Sequence, residues 1–139
     1  MTDAPEGFAP LFRTSPFLDA VGPFYYRHDG ERLVIGLRIL EKHANARGVA
    51  HGGLLMTLAD IALGYNTAYR ENPPGSWVTA NLAGDFAGAA KLGDWVEAHV
   101  DVQKSGKRLA FANAYLIVGE ERILRVSAVF ARSAARPAE

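Results

Sequence analysis

Residues 54–70 are predicted to form the one long helix of this chain. The segment contains no proline, is rich in good helix formers and stops before Asn72-Pro73-Pro74-Gly75. Its apolar side chains are distributed around nearly the whole helix: Leu54, Leu55, Leu58, Ile61, Ala62, Leu63, Tyr65 and Ala68. A helix that is apolar on most sides must be surrounded by other elements. The fold must therefore wrap the rest of the chain around this segment.

Segments with strand character lie on both sides of this helix in the sequence. Residues 24–28 and 33–40 flank Asp29-Gly30, a dipeptide typical of tight hairpin turns. After the helix the apolar period changes to two, in segments 77–86, 95–103, 109–118 and 123–132, with Gly84 as a candidate bulge. Strands joined by short turns run antiparallel. The order predicts an α+β fold, a curved antiparallel sheet wrapped around one long central helix.

A chain of 139 residues is long enough for one domain and too short for two. Residues 1–20 are interrupted by prolines but contain large apolar side chains. They are predicted to form an arm with one short helical turn that lies on the single domain 1–139. Residues 41–48 are predicted to have little order of their own, and residues 133–139 are predicted to fray.

Composition and charge exclude several functional classes. Fifteen Lys and Arg balance fifteen Asp and Glu, and a net charge of zero argues against a dedicated nucleic-acid binder. The absence of cysteine excludes disulfides, thiolate nucleophiles and Cys-ligated metal sites. No apolar run approaches the ~20 residues of a membrane span, and no basic secretory signal is present. We therefore expect a cytoplasmic protein without membrane partners, whose low net charge permits self-association.

Asp60 is the only charged side chain between His51 and Arg70. Burying an unpaired carboxylate is costly, so such an acid meets local donors, stays exposed or serves a function. The glycines just before the helix favour a function, because they let the backbone approach a ligand closely. The first N–H groups of a helix also lack internal partners. Gly52 and Gly53 are therefore predicted to present free donors to a carbonyl oxygen that gains negative charge.

The spacing of Gly52 and Asp60 links this candidate site to an assembly. Eight residues of helix correspond to about 12 Å at 1.5 Å per residue, which is too far for one carbonyl group to contact both. Two antiparallel copies of the helix would bring Gly52 of one chain near Asp60 of the other. If the two residues act together, their site lies between the subunits of a two-fold dimer.

A nine-residue motif, together with the acid that follows it, resembles the hotdog-fold acyl-CoA thioesterases, in particular their phenylacetate-pathway and THEM2-like branch. The motif is Asn45-Ala46-Arg47-Gly48-Val49-Ala50-His51-Gly52-Gly53, and the acid is Asp60. Segments 77–82 and 90–94 are also similar to that branch, and the resemblance covers residues 24–132. It implies a hotdog fold and hydrolysis of an acyl-CoA to free acid and CoA. It also implies a homodimer or homotetramer that needs no cofactor or metal.

The resemblance also implies roles for individual residues. Asp60 would act as general base or nucleophile, and the backbone N–H of Gly52 would polarise the thioester carbonyl. Asn45 would orient the nucleophile or bind the leaving group, and His51 would support the loop or contact the thiol side. Thr79 occupies the position of a helper serine and retains its hydroxyl group.

Several other residues are candidates for substrate binding. Gly53 would add a second donor beside Gly52. A predicted hairpin turn and its flanks carry Lys104, Lys107 and Arg108, which are either solvated or meet the phosphates of CoA. Tyr65 and Tyr69, late on the helix, either pack in the core or line an acyl pocket.

Other interpretations remain open at this point. The chain could be a non-catalytic acyl-CoA-binding or sensing module. It could also be a hotdog enoyl-thioester hydratase, although it lacks a clear counterpart of the acid and histidine pair of those enzymes. His43, His51 and Asp60 could ligate a metal, but they lack the tight spacing of a zincin motif. No Gly-x-Ser-x-Gly sequence is present, which argues against a serine hydrolase.

Overall fold

The computed structural model describes residues 4–134. Its one long helix, α2, spans Gly52–Ala68, and a short helix, α1, spans Pro16–Val21. A single 3₁₀ turn covers Glu41–His43. The strands within the described range are β1 Ala9–Pro10, β2 Tyr25–Asp29, β3 Arg32–Arg38, β4 Trp77–Phe86, β5 Trp95–Ser105, β6 Leu109–Val118 and β7 Glu121–Arg132.

All of these strands belong to one antiparallel sheet with the order β1-β2-β3-β5-β6-β7-β4. Helix α2 packs against β3, β4, β5, β6 and β7. The predicted α+β fold with a sheet around one central helix is confirmed. Neither helix in the described part of the chain is long and apolar enough to cross a membrane.

The sheet covers one side of α2. Fully buried leucine and alanine side chains on this side pack into a continuous core with the strands: Leu55, Leu58, Ala59, Ala62 and Leu63. Burying a single leucine side chain stabilises the fold by about 1.5–3 kcal/mol. The opposite side, with Asp60, Ile61 and Gly64, is only half-buried. On this side a single chain therefore encloses the helix only in part.

The predicted bulge at Gly84 is wrong. Gly84 pairs in register with Val126, and the register shift of β4 lies between Thr79 and Asn81. Gly84 serves close packing, because a Cβ atom at this position would lie 2.7 Å from the sulfur of Met56 on α2. The glycine therefore lets the edge strand approach the helix.

The segment 41–48 is more ordered than its sequence predicted, because it is attached to two other elements. His43 is only 2% exposed, and its Nδ1 accepts a hydrogen bond from the N–H of Leu40 at 2.9 Å. Its Nε2 lies 2.6 Å from the carbonyl oxygen of Val21 in α1. The backbone carbonyl of His43 accepts the N–H of His51 at 2.8 Å. One buried histidine thus connects the arm, this segment and the start of α2.

Both ends of the described chain contact the sheet. The arm adds β1 to β2, with Ala9 opposite Tyr26. At the other end, the N–H of Ser133 donates to the carbonyl of Ser76 at 2.9 Å, and the two hydroxyl oxygens are 2.6 Å apart. The predicted fraying is wrong at Ser133, and residues 135–139 lie outside the described range.

The environment of His43 predicts a pH dependence of stability. Burial lowers the pKa of His43 from its ordinary value of 6.5. The unfolded chain therefore takes up this proton more readily than the folded one. The contribution of the neutral His43 ring to the free energy of unfolding is fully present above about pH 6.5 and is lost as the pH falls below that value.

We predict that His43→Gln lowers the free energy of unfolding by about 1–3 kcal/mol at pH 7.5, because the two hydrogen bonds of the His43 ring are disturbed. The loss should be clearly smaller at pH 5.5. Urea unfolding at both pH values measures it, with His28→Gln at an exposed strand position as the control. Equal losses at the two pH values would contradict the assigned role of His43.

Candidate active site

Asp60 lies in the middle of α2 and faces the edge strand β4. The hydroxyl of Thr79 donates a hydrogen bond to Oδ1 of Asp60 at 2.8 Å. The register shift in β4 makes Ala80 an extra residue, so Thr79 lies on the same side of the strand as Leu82, which packs on the core. In a regular strand these two residues would face opposite sides. The bulge therefore directs the Thr79 hydroxyl at the acid.

A cavity of about 740 Å³ opens beside Asp60 and Thr79. Tyr65 and Tyr69 line it, and the ring of Phe12 from the arm contacts both of them with centroid distances of 5.4 Å. Burial raises the pKa of Tyr65 above its ordinary value of 10.0, so its hydroxyl is neutral near pH 7. The cavity thus combines a carboxylate at Asp60 with aromatic side chains in its lining.

The start of α2 holds the second group of predicted residues. His51 is the N-cap of the helix, and its Nδ1 accepts the N–H of Gly53 at 2.9 Å. The N–H of Gly52 has no hydrogen-bond acceptor within residues 4–134. The expectation of two free donors is therefore wrong for Gly53, whose N–H is capped. Gly52 alone offers a free N–H at this helix end.

Asn45 organises the loop that leads to this helix end. Its side-chain oxygen accepts the N–H groups of Arg47 at 2.8 Å and Val49 at 3.4 Å. Gly48 closes the turn in the left-handed conformation at φ 79°, which glycine adopts without a steric cost. Because the oxygen is used inside the loop, Asn45 can offer a ligand only its NH₂ group.

The free N–H and the carboxylate lie toward opposite ends of β4. Asp60 contacts Thr79 near the first residues of the strand, whereas Gly52 lies beside Phe86, its last residue. A Cβ atom built on Gly52 would be 3.3 Å from the Phe86 ring. Strand β4 and α2 therefore run alongside each other in opposite directions. One chain does not bring Gly52 and Asp60 to the same point.

The basic turn between β5 and β6 is held in place by Arg132. This guanidinium donates to the carbonyl oxygens of Gly106 at 2.8 Å and Lys107 at 3.1 Å. It also pairs with Glu71 at 2.7 Å, which holds the pKa of Glu71 below its ordinary value of 4.5. The turn is thus anchored near the Trp77 end of β4. The side chains of Lys104, Lys107 and Arg108 point into solvent and do not line the cavity.

The residues considered as metal ligands do not converge. Both ring nitrogens of His43 are hydrogen-bonded, His51 caps α2, and Asp60 accepts from Thr79. In the part of the chain that the structure describes, no three acidic or histidine side chains come close enough to hold a metal ion.

The cavity also contains residues that the sequence analysis did not place at the site. Gly64 and Ala68 line it, and their spacing of four and eight residues from Asp60 was an available signal for one helix face. Arg13 of the arm lines it as well. No sequence signal indicated Arg13, because it reaches the cavity only when the arm folds back over α2.

Comparisons with known proteins agree with this architecture. A family model described as the thioesterase superfamily matches residues 47–123. A candidate esterase of Pseudomonas aeruginosa is 54% identical over 131 residues, which are 94% of this chain and 98% of that protein. Mouse acyl-coenzyme A thioesterase 13 is 33% identical over 87 residues, 62% of this chain and 61% of that protein.

Solved structures give the same result. The structure of zebrafish thioesterase superfamily member 2 is similar with a TM-score of 0.76 and 26% sequence identity, covering 86% of this chain and 88% of that one. The family match spans more than half of the chain and includes both the Gly52 loop and Asp60. The resemblance noted from the motif is confirmed, and the chain belongs to the thioesterase superfamily as a hotdog-fold thioester hydrolase.

Proposed function

We propose that this thioesterase hydrolyses an acyl-CoA to a free acid and CoA at a site formed by two copies of the chain. The observation that carries the proposal is the arrangement along β4, with the carboxylate of Asp60 near one end and the free N–H of Gly52 at the other. Neither group has the other as a neighbour in its own chain. A second copy is needed to complete the pair.

The exposure of β4 supports this pairing. It is the last strand of the sheet, and its outer edge has no strand partner within residues 4–134. Eight of its ten residues are exposed, among them Val78 at 54% and Phe86 at 53%. Long exposed edge strands with apolar side chains are normally covered, because their free N–H and C=O groups pair readily.

In a two-fold dimer, β4 of one subunit could pair antiparallel with β4 of the other subunit. The Thr79 end of one subunit would then lie beside the Phe86 end of the other. Asp60 of the first subunit would consequently face the free N–H of Gly52 in the second. A two-fold axis creates two such sites per dimer. A homotetramer would arise by association of two dimers.

The chemistry follows from the two groups. As a general base, Asp60 takes a proton from water while the water oxygen bonds to the thioester carbon. The carbonyl oxygen gains negative charge and accepts the N–H of Gly52, a contact that stabilises the transition state by about 3 kcal/mol. The carbon–sulfur bond then breaks, and the thiolate of CoA receives the proton from Asp60. As a nucleophile, the same carboxylate would instead attack the thioester carbon and expel the thiolate of CoA, and water would then hydrolyse the resulting acyl anhydride to the free acid and restore the carboxylate.

The remaining residues act in support of this step. The hydroxyl of Thr79 binds Oδ1 of Asp60 and leaves Oδ2 for the reaction. His51 caps Gly53 and so holds the neighbouring N–H of Gly52 in position. The NH₂ group of Asn45 is available to the thiol side of the substrate. The acyl group occupies the cavity beside Asp60, and Tyr65 is one of the side chains that line it.

Release of free thiol from a panel of acyl-CoA substrates tests the activity. We predict that Asp60→Asn lowers kcat by about 1,000-fold, since general bases contribute 10²–10⁴. Gly52→Pro should lower kcat by about 100-fold or more, because it removes the donor N–H at a position, the first of a helix, where proline is favoured. Gly52→Ala is the matched control, because it adds a carbon beside Phe86 and keeps the N–H. Binding of acyl-CoA without thiol release would instead support the sensing module.

Mixing the two inactive variants tests whether the site is shared. A dimer with one Asp60→Asn subunit and one Gly52→Pro subunit has one site with both lesions and one intact site. Random co-assembly should therefore restore about one quarter of the wild-type rate. Two variants that stay dimeric and fail to restore activity, or a wild-type protein that is monomeric by light scattering, would contradict the shared site.

The hydrogen bond of Thr79 provides a second test. We predict that Thr79→Val lowers kcat/KM by about 10- to 100-fold, because a hydrogen bond to a carboxylate contributes about 1.5–3 kcal/mol. Thr79→Ser retains the hydroxyl and should keep most of the activity. Unchanged kcat/KM in Thr79→Val, which keeps a methyl group and loses only the hydroxyl, would contradict this role of the hydrogen bond.

The basic turn is proposed to bind the phosphates of CoA. We predict that replacing Lys104, Lys107 and Arg108 together by alanine raises KM for an acyl-CoA by about tenfold and leaves kcat unchanged, because exposed ion pairs contribute up to about 1 kcal/mol each. An acyl-pantetheine lacks the nucleotide and should show no change. Lys91→Ala, an exposed cation on another turn, serves as the control. A rise in KM for both substrates would contradict phosphate binding.

A further inference from the structure

Gly64 occupies a position in α2 where nothing within residues 4–134 requires a glycine. After proline, glycine is the least favourable residue in a helix interior. Gly64 is not among the glycines with positive φ, so its backbone accepts any residue. A Cβ atom at Gly64 would have its nearest neighbour 3.8 Å away, on the ring of Phe130. At Gly36, by contrast, a Cβ would lie 2.5 Å from the ring of Trp95.

The space above Gly64 belongs to the cavity that begins at Asp60. Asp60, Gly64 and Ala68 lie on one face of α2 at four-residue intervals, and all three line the cavity. Each interval corresponds to about 6 Å along the helix axis. After the acid, this row of positions carries only a hydrogen atom at Gly64 and a methyl group at Ala68 over about 12 Å, whereas Ile61 and Tyr65 line the cavity beside it. Other side chains that line the same cavity are large, among them those of Tyr65 and Trp77.

We propose that Gly64 and Ala68 set the size of the acyl group, which lies along α2 and extends from Asp60 over Gly64 toward Ala68. This inference rests on the proposed acyl-CoA hydrolysis and adds the residues that set its substrate range: an acyl group larger than acetyl needs the open space over Gly64. Gly64 is a specificity residue that keeps the channel open at the cost of helix propensity. Ala68 limits only those acyl groups that extend a second helical turn.

The matched variants Gly64→Val and Ala68→Val measure this channel with acetyl-CoA, phenylacetyl-CoA and dodecanoyl-CoA. In the wild type, kcat/KM should be lower for acetyl than for either larger group. Gly64→Val should lower both larger-to-acetyl ratios at least tenfold, because a filled pocket discriminates by about 10- to 200-fold per carbon. Ala68→Val should lower the dodecanoyl-to-acetyl ratio and keep the phenylacetyl-to-acetyl ratio.

Gly64→Ala supplies a readout that is independent of activity. If the glycine serves only the substrate, this variant should raise the melting temperature by a few degrees, because alanine is the better helix former. A lowered melting temperature or a changed oligomeric state would assign Gly64 to the fold or to the subunit interface, and it would overturn the proposal.

The kinetic outcomes separate this proposal from the one on which it rests. An active wild-type enzyme whose three substrates are affected equally by Gly64→Val overturns the channel and leaves acyl-CoA hydrolysis intact. A wild type that releases no thiol from any of the three substrates overturns both. The channel is supported if Gly64→Val lowers the ratios for both larger substrates and Ala68→Val lowers only the ratio for dodecanoyl-CoA.

Discussion

The burial of one side of α2 against the sheet is the interaction on which the rest of the structure depends. Leu58, Ala62 and Leu63 are fully buried there, so the rotation of the helix about its axis is set by its apolar side chains. That rotation leaves Asp60 and Gly64 on the opposite face, toward the cavity. The hydrophobic core thereby decides where the only acid of the helix points.

The start of the helix depends on a second set of contacts. His51 caps the N–H of Gly53 and leaves that of Gly52 free, so a single side chain both stabilises the helix and determines which donor is available. The carbonyl of His43 accepts a hydrogen bond from the N–H of His51, and the imidazole of His43 lies against the carbonyl of Val21 at the end of α1. The proposed oxyanion donor is thus supported from a segment about thirty residues earlier in the chain.

Much of the fold could be predicted because it follows from local patterns. The apolar periods located α2 to within two residues at each end, and β4 and β6 matched their predicted bounds. The errors occurred where a contact distant in sequence overrides a local signal. Gly84 looked like a bulge, yet it allows close contact with Met56. Residues 41–48 looked unstructured, yet His43 is buried under the arm.

The sequence by itself determined the elements, their antiparallel connection and the presence of one acid behind a glycine-rich loop, because periodicity, turn residues and helix ends act over a few neighbouring residues. Only the tertiary structure decided that Ala80 is the extra residue that turns Thr79 toward Asp60, and that Arg13 of the arm lines the cavity. These features depend on how the edge strand and the arm pack against α2. Such packing brings together residues that are far apart in the chain, so it cannot be predicted from the pattern of neighbouring residues.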